Sequence, residues 1–118
     1  AKAKLTGWEA IDYDRDTIRF ELFAGHPIML SMLLHESFES VPSKGARRGR
    51  VPIPRSSEAE VGGHEMDACG YDEDVLILAN SWGRDCGDDG YYYVPWPMIL
   101  DRYTTRAIHS IRTVQIIA

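Results

Sequence analysis

The order of apolar and polar positions predicts a short helix near the start of the chain. The segment TIRFELFAG carries three apolar residues on one helical face: Ile18, Leu22 and Phe23. Asp16 or Thr17 can cap the first turn, and Gly25 and Pro27 mark the end of the helix. We therefore expect one short amphipathic helix in this segment.

Strand-like runs make up most of the remaining chain. PIMLSMLLH is short and continuously apolar, which predicts a buried strand, and HEMDACGY and VLILAN flank the turn DED as a hairpin. GYYYV and RAIHSIRTVQIIA predict two further strands, and PWPMILDRY predicts one or two helical turns with Pro97 near the start. Residues 36–63 have the glycine and proline content of a long loop. The pattern indicates an α+β fold that is dominated by antiparallel sheet.

Length and composition limit the class of protein. A chain of 118 residues, 44% hydrophobic and 26% charged, suits one globular domain over residues 1–118 and excludes a disordered or fibrous protein. No apolar run reaches the ~18 residues of a membrane helix, so we expect no membrane partner. The two cysteines are too few for a disulfide scaffold. The sequence does not identify a cellular compartment.

The net charge of −5 is distributed unevenly along the chain. A basic loop contains five cationic residues: Lys44, Arg47, Arg48, Arg50 and Arg55. Residues 64–90 are acidic, with Arg84 as their single basic residue. We interpret the basic loop as solvated charge that the acidic segment neutralises, with steering of a charged partner as the alternative. The acidic remainder of the chain argues against nucleic-acid binding.

A histidine and an asparagine lie sixteen positions apart on the two strands of the predicted hairpin. A neutral imidazole can take a proton from a nucleophile when an acceptor fixes its other ring nitrogen. Asn80 can be that acceptor for His64, and Trp82 can cover their hydrogen bond from water. Neither a second histidine of a zincin helix nor the spacing of a calcium loop is present, so we expect no metal and no cofactor.

Three segments around this pair carry a family resemblance. GGHEMDACGYD, LANSWG and GDDGYYYVP resemble the C-terminal half of papain-like (C1-type) cysteine peptidases, and FAGHPIMLSMLLHESFES followed by VPIP resembles the bacterial branch of that family. The resemblance covers roughly residues 17 to 101. It implies an antiparallel, partly closed β-barrel with a short N-terminal helix, which is half of a papain-like fold.

The resemblance also implies roles for individual residues. His64 would be the general base and the imidazolium partner of a thiolate, Asn80 would orient it, and Trp82 would shield the pair. The backbone of Gly63 would lie along a peptide or protein substrate. Cys86 occupies a place where the family commonly has a second tryptophan, near the active-site cleft.

The nucleophile that the family requires is missing from this sequence. The family places its cysteine ~130 to 150 residues before the histidine, whereas the 63 residues before His64 contain no cysteine. The family's oxyanion-hole glutamine is also missing, because Gln115 is the single glutamine. Cys69 is expected on the strand face opposite His64, in the core, and Cys86 lacks the helix N-terminus that lowers a thiol pKa.

Two function classes remain. In the first, the chain supplies the catalytic His and Asn of a cysteine peptidase whose Cys-bearing N-terminal half is a separate or removed segment; this chain alone is then inactive. In the second, it is a non-catalytic papain-like module for binding or assembly. The first class predicts a large exposed apolar face where the other half docks. The remaining histidines are expected to be structural: His26, His35 and His109.

Overall fold

A computed structural model describes the backbone of residues 2–117 and the side chains of residues 7–112. Six strands and three short helices follow one another in the order β1 (Lys2–Ala10), α1 (Arg15–Phe23), β2 (Ile28–His35), α2 (Glu36–Glu39), β3 (Glu60–Tyr71), β4 (Val75–Ala79), β5 (Tyr91–Pro95), α3 (Trp96–Leu100) and β6 (Thr105–Ile117). The strands form one sheet in the order β1-β6-β2-β3-β4-β5, and every neighbouring pair is antiparallel. The predicted α+β, antiparallel fold is confirmed. Because β1 and β5 are opposite edges, the described sheet is open, and "partly closed" is a loose description.

Helix α1 begins earlier than predicted. Asp14 is the N-cap, and its side chain accepts hydrogen bonds from the backbone N–H of Thr17 at 2.9 Å and from the Thr17 hydroxyl at 2.8 Å. The expectation that Asp16 or Thr17 is the cap was therefore wrong. Gly25, with φ of +85°, follows the helix as predicted.

The buried face of α1 also differs from the prediction. Ile18 is buried, but Phe23 is 82% exposed and Glu21 is 2% exposed. The apolar positions alone could not show this face, because Arg112 on β6 donates hydrogen bonds to the Glu21 carboxylate and draws it inward. A charge contact across the fold thus sets the rotation of the helix.

The central strand β2 has the strict two-residue alternation of a sheet with one buried face. Its buried residues are Ile28, Leu30, Met32 and Leu34. Other strands and α1 add apolar side chains to the same core, among them Ile18, Met66, Leu76, Leu78, Val94 and Ile108. The predicted strands β2 to β6 and the turn at residues 72–74 are confirmed, with the Asp72 N–H donating to the Val75 carbonyl at 2.9 Å.

The predicted loop is shorter than residues 36–63. Helix α2 and the first residues of β3 occupy its two ends, so the segment without named elements is residues 40–59. Among the described residues, no helix is long and apolar enough to cross a membrane.

Candidate functional site

The β3–β4 hairpin brings a histidine and an asparagine together. His64 lies on β3, and Asn80 directly follows β4. Antiparallel pairing places Ala79 opposite Asp67, three positions from His64 along β3, and the chain beyond Ala79 runs toward His64. The Asn80 N–H also donates to the Gly90 carbonyl at 3.1 Å, which ties this end of β4 to the start of β5. Strand register therefore positions the pair.

His64 and Asn80 form a direct hydrogen bond. Nε2 of His64 lies 2.7 Å from Oδ1 of Asn80, and the backbone N–H of Ser81 donates to the same oxygen at 2.8 Å. An amide oxygen only accepts hydrogen bonds, so Nε2 must carry the proton of this contact. Among the side chains described, Nδ1 of His64 makes no hydrogen bond. It is the nitrogen left for proton transfer.

Trp82 covers the imidazole. The two ring centroids are 5.3 Å apart with an interplanar angle of 27°. The indole is 41% exposed, so it covers the imidazole while part of its own surface faces solvent. Shielding of this kind strengthens the hydrogen bond between His64 and Asn80, because it removes competing water.

The buried rings of Phe38 and Tyr92 pack against Trp82. The rings of Phe38 and Tyr92 stack at 4.8 Å, and both meet Trp82 edge-on, at 5.7 Å and 6.1 Å respectively. Phe38 is 2% exposed and Tyr92 is 3% exposed. Burial raises the pKa of Tyr92, so its phenol stays neutral at physiological pH. These three rings form the aromatic floor of the site.

A glycine fixes the loop between Trp82 and β5. Gly87 has φ of +60°, and a Cβ atom there would lie 2.6 Å from the Tyr91 carbonyl oxygen and 2.8 Å from the Tyr92 ring. No other residue fits without displacing part of the aromatic floor.

An open cavity of about 610 Å³ lies beside His64. Gly63 lines it, and so do Ser31, Leu33, His64, Glu65 and Arg106. The exposed backbone of Gly63 pairs with Leu33 of β2, so this strand segment forms one edge of the cavity. The structure thus brings Gly63, His64, Asn80 and Trp82 to one region.

Neither thiol has the surroundings of an activated nucleophile. Cys69 is exposed, and its thiol donates to the Ile77 carbonyl at 3.5 Å. The expectation that Cys69 lies in the core was wrong: alternation does place it opposite His64, but the core is on the His64 side, with Met66 and Ala68. Desolvation raises the pKa of the Cys69 thiol, which disfavours the reactive thiolate.

Cys86 lies in the loop that follows Trp82. It is partly buried against the core, and its thiol donates to the Trp82 carbonyl at 3.6 Å. It therefore contacts the shielding tryptophan through its backbone. Cys86 thus lies next to Trp82 in the structure.

The charged segments contact each other. Arg48 of the basic loop forms an ion pair with Asp88 at 2.9 Å, and Arg50 lies over the Tyr93 ring at 5.1 Å. The hydrogen bonds from Tyr93 and Arg48 hold the pKa of Asp88 below its ordinary value. Within residues 7–112, no group of three or more histidine, cysteine or acidic side chains could hold a metal ion.

Sequence reasoning missed two parts of the site. Phe38 supports Trp82 from a segment forty-four positions earlier, and Arg106 reaches the cavity from β6. Neither follows from local spacing, because each depends on which strands are neighbours. The strand order β6-β2-β3 is the signal that would have placed Arg106 near His64.

Comparisons with known proteins agree with the motifs. No protein-family model matches the chain. It is 34% identical over 109 residues to an uncharacterized peptidase C1-like protein of Acanthamoeba polyphaga mimivirus, which covers 84% of this chain and 34% of that protein. It is 33% identical over 95 residues to a cathepsin B-like protein of Giardia intestinalis, covering 73% and 29% of the two chains. The chain thus spans about a third of the length of these curated relatives.

Solved structures give the same answer for the fold. Xylellain, a cysteine protease from Xylella fastidiosa, superimposes with a TM-score of 0.83 at 26% identity, over 95% of this chain and 41% of that one. A cysteine protease of Carica candamarcensis superimposes with a TM-score of 0.51 at 22% identity, over 78% and 40% of the two chains, and shows the fold alone. The bacterial match agrees with the resemblance to the bacterial branch.

Proposed function

Because this chain is a homologue of the papain-like (C1-type) cysteine peptidases, we propose that it supplies the catalytic histidine and asparagine of such a peptidase. The nucleophilic cysteine would lie on a Cys-bearing N-terminal half, in the same protein or in a partner chain. One observation carries the proposal: the 2.7 Å hydrogen bond from His64 Nε2 to Asn80 Oδ1, under the ring of Trp82. The coverage of about a third of each relative supports the need for a further segment.

The geometry suits proton transfer at Nδ1 of His64. Nδ1 takes the proton of the cysteine thiol, which gives a thiolate and an imidazolium that attract each other. The thiolate attacks the carbonyl carbon of the peptide, and Nδ1–H then gives its proton to the leaving amine as the C–N bond breaks. Water attacks the resulting thioester with Nδ1 as base, which releases the acid and restores the thiol. Asn80 keeps Nε2–H engaged throughout.

The other proposed site residues assist this sequence of steps. The exposed backbone of Gly63 next to the cavity can pair with an extended peptide. Trp82 keeps water from the Asn80 hydrogen bond. Cys86 contacts the Trp82 backbone and acts only by supporting it.

A binding or assembly module is the second candidate function. It is favoured by the two thiols, neither of which has the surroundings of an activated nucleophile. The exposure of large apolar side chains in the described region does not favour it, because a docking Cys-bearing half would need such side chains as well. These side chains are Trp8, Phe20, Phe23, Ile53, Val61, Trp82, Tyr91 and Tyr103. A pure scaffold, however, has no need for an oriented imidazole, so we favour the peptidase half.

The test is complementation of the purified chain. Alone, it should not hydrolyse a fluorogenic peptide. Mixed with the separately produced Cys-bearing part of a relative such as xylellain, it should restore turnover. His64→Ala should abolish that turnover. His109→Ala should retain it, because His109 is a half-buried histidine whose ring packs at a tilt against Trp8. Turnover by the chain alone that His64→Ala removes, or a complex that forms without turnover, would contradict the proposal.

A further inference from the structure

The cavity beside His64 has a guanidinium on one wall and a carboxylate on the other. Arg106 comes from β6 and Glu65 from β3, while Ser31 and Leu33 of β2 lie between them. Ser31 is opposite Glu65 on one side and Ala107 on the other, so two strand spacings, about 10 Å, separate the outer backbones. A ligand group that binds next to one of these two charges is therefore distant from the other.

A β-bulge directs Arg106 outward. Ser31 pairs with Ala107 and the next residue, Met32, pairs with Thr105, so Arg106 is an extra residue on β6. Bulges re-aim the side chain of the inserted residue, often next to active sites. Thr105 is fully buried whereas Arg106 is exposed at the cavity. Because of this register shift, the Arg106 side chain faces the cavity. Regular alternation with the buried residues Ile108 and Ser110 would have turned it toward the core.

Tyr103 holds the Arg106 guanidinium in position. Nε of Arg106 donates to the Tyr103 carbonyl, and the guanidinium lies over the Tyr103 ring, 4.8 Å from its centroid. The Tyr103 hydroxyl donates in turn to Glu60 at the start of β3. Among the groups described, the two terminal nitrogens of Arg106 make no hydrogen bond. A guanidinium fixed through Nε and stacked on a ring keeps both terminal nitrogens available for a carboxylate.

Glu65 is less suited to bind a ligand charge. Its carboxylate already accepts a hydrogen bond from the Ser31 hydroxyl at 3.4 Å, on the far side of β2 from Arg106. No ion pair between Glu65 and Arg106 is present in the described region. Among the charged side chains that line the cavity, Arg106 therefore has the N–H donors that remain without a partner in the described region.

We propose that this cavity selects peptides with an acidic side chain, whose carboxylate binds the terminal nitrogens of Arg106 while the peptide backbone lies along Gly63. This rests on the proposed function, because it names the substrate class of that site. Arg106 is the specificity-determining residue, and Tyr103 positions it. The Glu65 carboxylate on the opposite wall repels an acidic side chain that points toward it.

Peptide binding to the full 118-residue chain tests this directly, because binding needs no nucleophile. Blocked tetrapeptides that carry glutamate, glutamine or lysine at each position in turn are titrated into ¹⁵N-labelled protein. The signals of Gly63, His64 and the Arg106 Nε–H are followed. At low salt, the best glutamate peptide should bind about fivefold more tightly than its glutamine counterpart, the discrimination of a partly exposed ion pair. Raising the ionic strength should reduce that ratio.

Charge variants identify the residue responsible. Arg106→Gln should bring the glutamate and glutamine peptides to equal affinity, and Arg106→Glu should favour the lysine peptide. Arg102→Gln is the matched control, since this exposed arginine lies over Tyr13, away from the cavity. The control should leave the fivefold ratio unchanged.

Several results would overturn the inference. The first is equal affinity of the native chain for glutamate and glutamine peptides, and the second is an affinity ratio that Arg106→Gln leaves unchanged. The third is a preference for lysine peptides that Glu65→Gln removes. The fourth is that no peptide changes the Gly63 and His64 signals. A different result tests the proposed function: it is contradicted if the complemented assembly does not hydrolyse a neutral peptide. Turnover there without an acidic preference would overturn only this inference.

Discussion

Two histidines of this chain form hydrogen bonds to different partners, a carboxylate and an amide, and the contrast separates a contact within the fold from the pair that we propose to be catalytic. His26 Nδ1 lies 3.1 Å from the Glu21 carboxylate, and His64 Nε2 lies 2.7 Å from the Asn80 amide oxygen. A carboxylate adds charge attraction, whereas an amide fixes orientation without adding a charge. At His64 the amide therefore holds the ring in one orientation and adds no charge of its own.

The surroundings of the two pairs differ as well. Glu21 is 2% exposed and also accepts hydrogen bonds from Arg112, which in turn forms an ion pair with Glu9 at 2.9 Å. This charged network connects α1, β6 and β1. His64 instead packs against Trp82, one ring of the aromatic floor, and its Nδ1 makes no hydrogen bond among the described groups. One region pairs its charged groups within the fold, and the other leaves Nδ1 of His64 without a hydrogen-bond partner in the described part of the chain.

The largest expected effect comes from removing the aromatic floor. Phe38→Ala should lower the free energy of unfolding by about 3–5 kcal/mol, because it empties a fully packed aromatic site. Urea unfolding measures this. The imidazole signals of His64 should shift while those of His26 stay unchanged. Phe23→Ala is the control at an exposed aromatic position, and it should change the free energy of unfolding by less than about 0.5 kcal/mol. Equal losses for the two variants would show that the aromatic floor does not stabilise the fold.

Loss of the orienting amide should affect hydrolysis more than stability. Asn80→Ala should lower turnover of the complemented assembly about a hundredfold, because the imidazole loses its fixed orientation. The free energy of unfolding should fall by about 1–2 kcal/mol, because the Asn80 side chain accepts two hydrogen bonds, from His64 and from the Ser81 N–H. Ser81→Ala is the control, since it keeps the backbone N–H that donates to Asn80. Full activity of Asn80→Ala would show that the amide is not an orienting group.

The charged network should show its effect in the acid range. Burial by itself raises the pKa of Glu21, but hydrogen bonds from Arg112 and His26 outweigh it and hold the pKa below its ordinary value of 4.5. A lowered folded-state pKa gives stability that is complete above pH ~4.5 and is lost as pH falls through the folded-state pKa. The native chain should therefore lose about 1–2 kcal/mol more than Glu21→Gln between about pH 5 and pH 3.

Urea midpoints at each pH measure that difference. Asp16→Asn is the control, because the Asp16 side chain is 84% exposed and contacts only Arg19, at 3.7 Å. It should follow the native pH dependence. If Glu21→Gln also follows the native curve, the network does not stabilise the fold in the way described.

The smallest expected effect belongs to the exposed thiol. Cys69→Ser should leave the free energy of unfolding within about 0.5 kcal/mol and turnover of the complemented assembly within about twofold. The reason is that Cys69 points away from His64 on β3. Loss of turnover in this variant would make Cys69 part of the reaction and contradict the assignment of the nucleophile to another segment.

The sequence predicted elements that depend on local pattern. Strands β2 to β6 follow from short apolar runs between turn residues, and the closeness of His64 and Asn80 follows from their position on one hairpin. Strand β1 was missed, because its partner β6 lies at the other end of the chain and no local signal connects them. The outward face of Phe23 and the bulge at Arg106 likewise depend on long-range contacts. Periodicity within one element does not show such contacts.

The state of the His64 ring tests the central claim most directly. Long-range ¹H–¹⁵N correlation on the isolated chain at about pH 8.5, where imidazoles are neutral, identifies which ring nitrogen carries the proton. We expect a single Nε2–H tautomer with an unprotonated Nδ1, and a slowly exchanging Nε2 proton that is lost in Asn80→Ala. A ring protonated at Nδ1, or a freely exchanging Nε2 proton that Asn80→Ala does not change, would contradict an imidazole held ready for an external thiol.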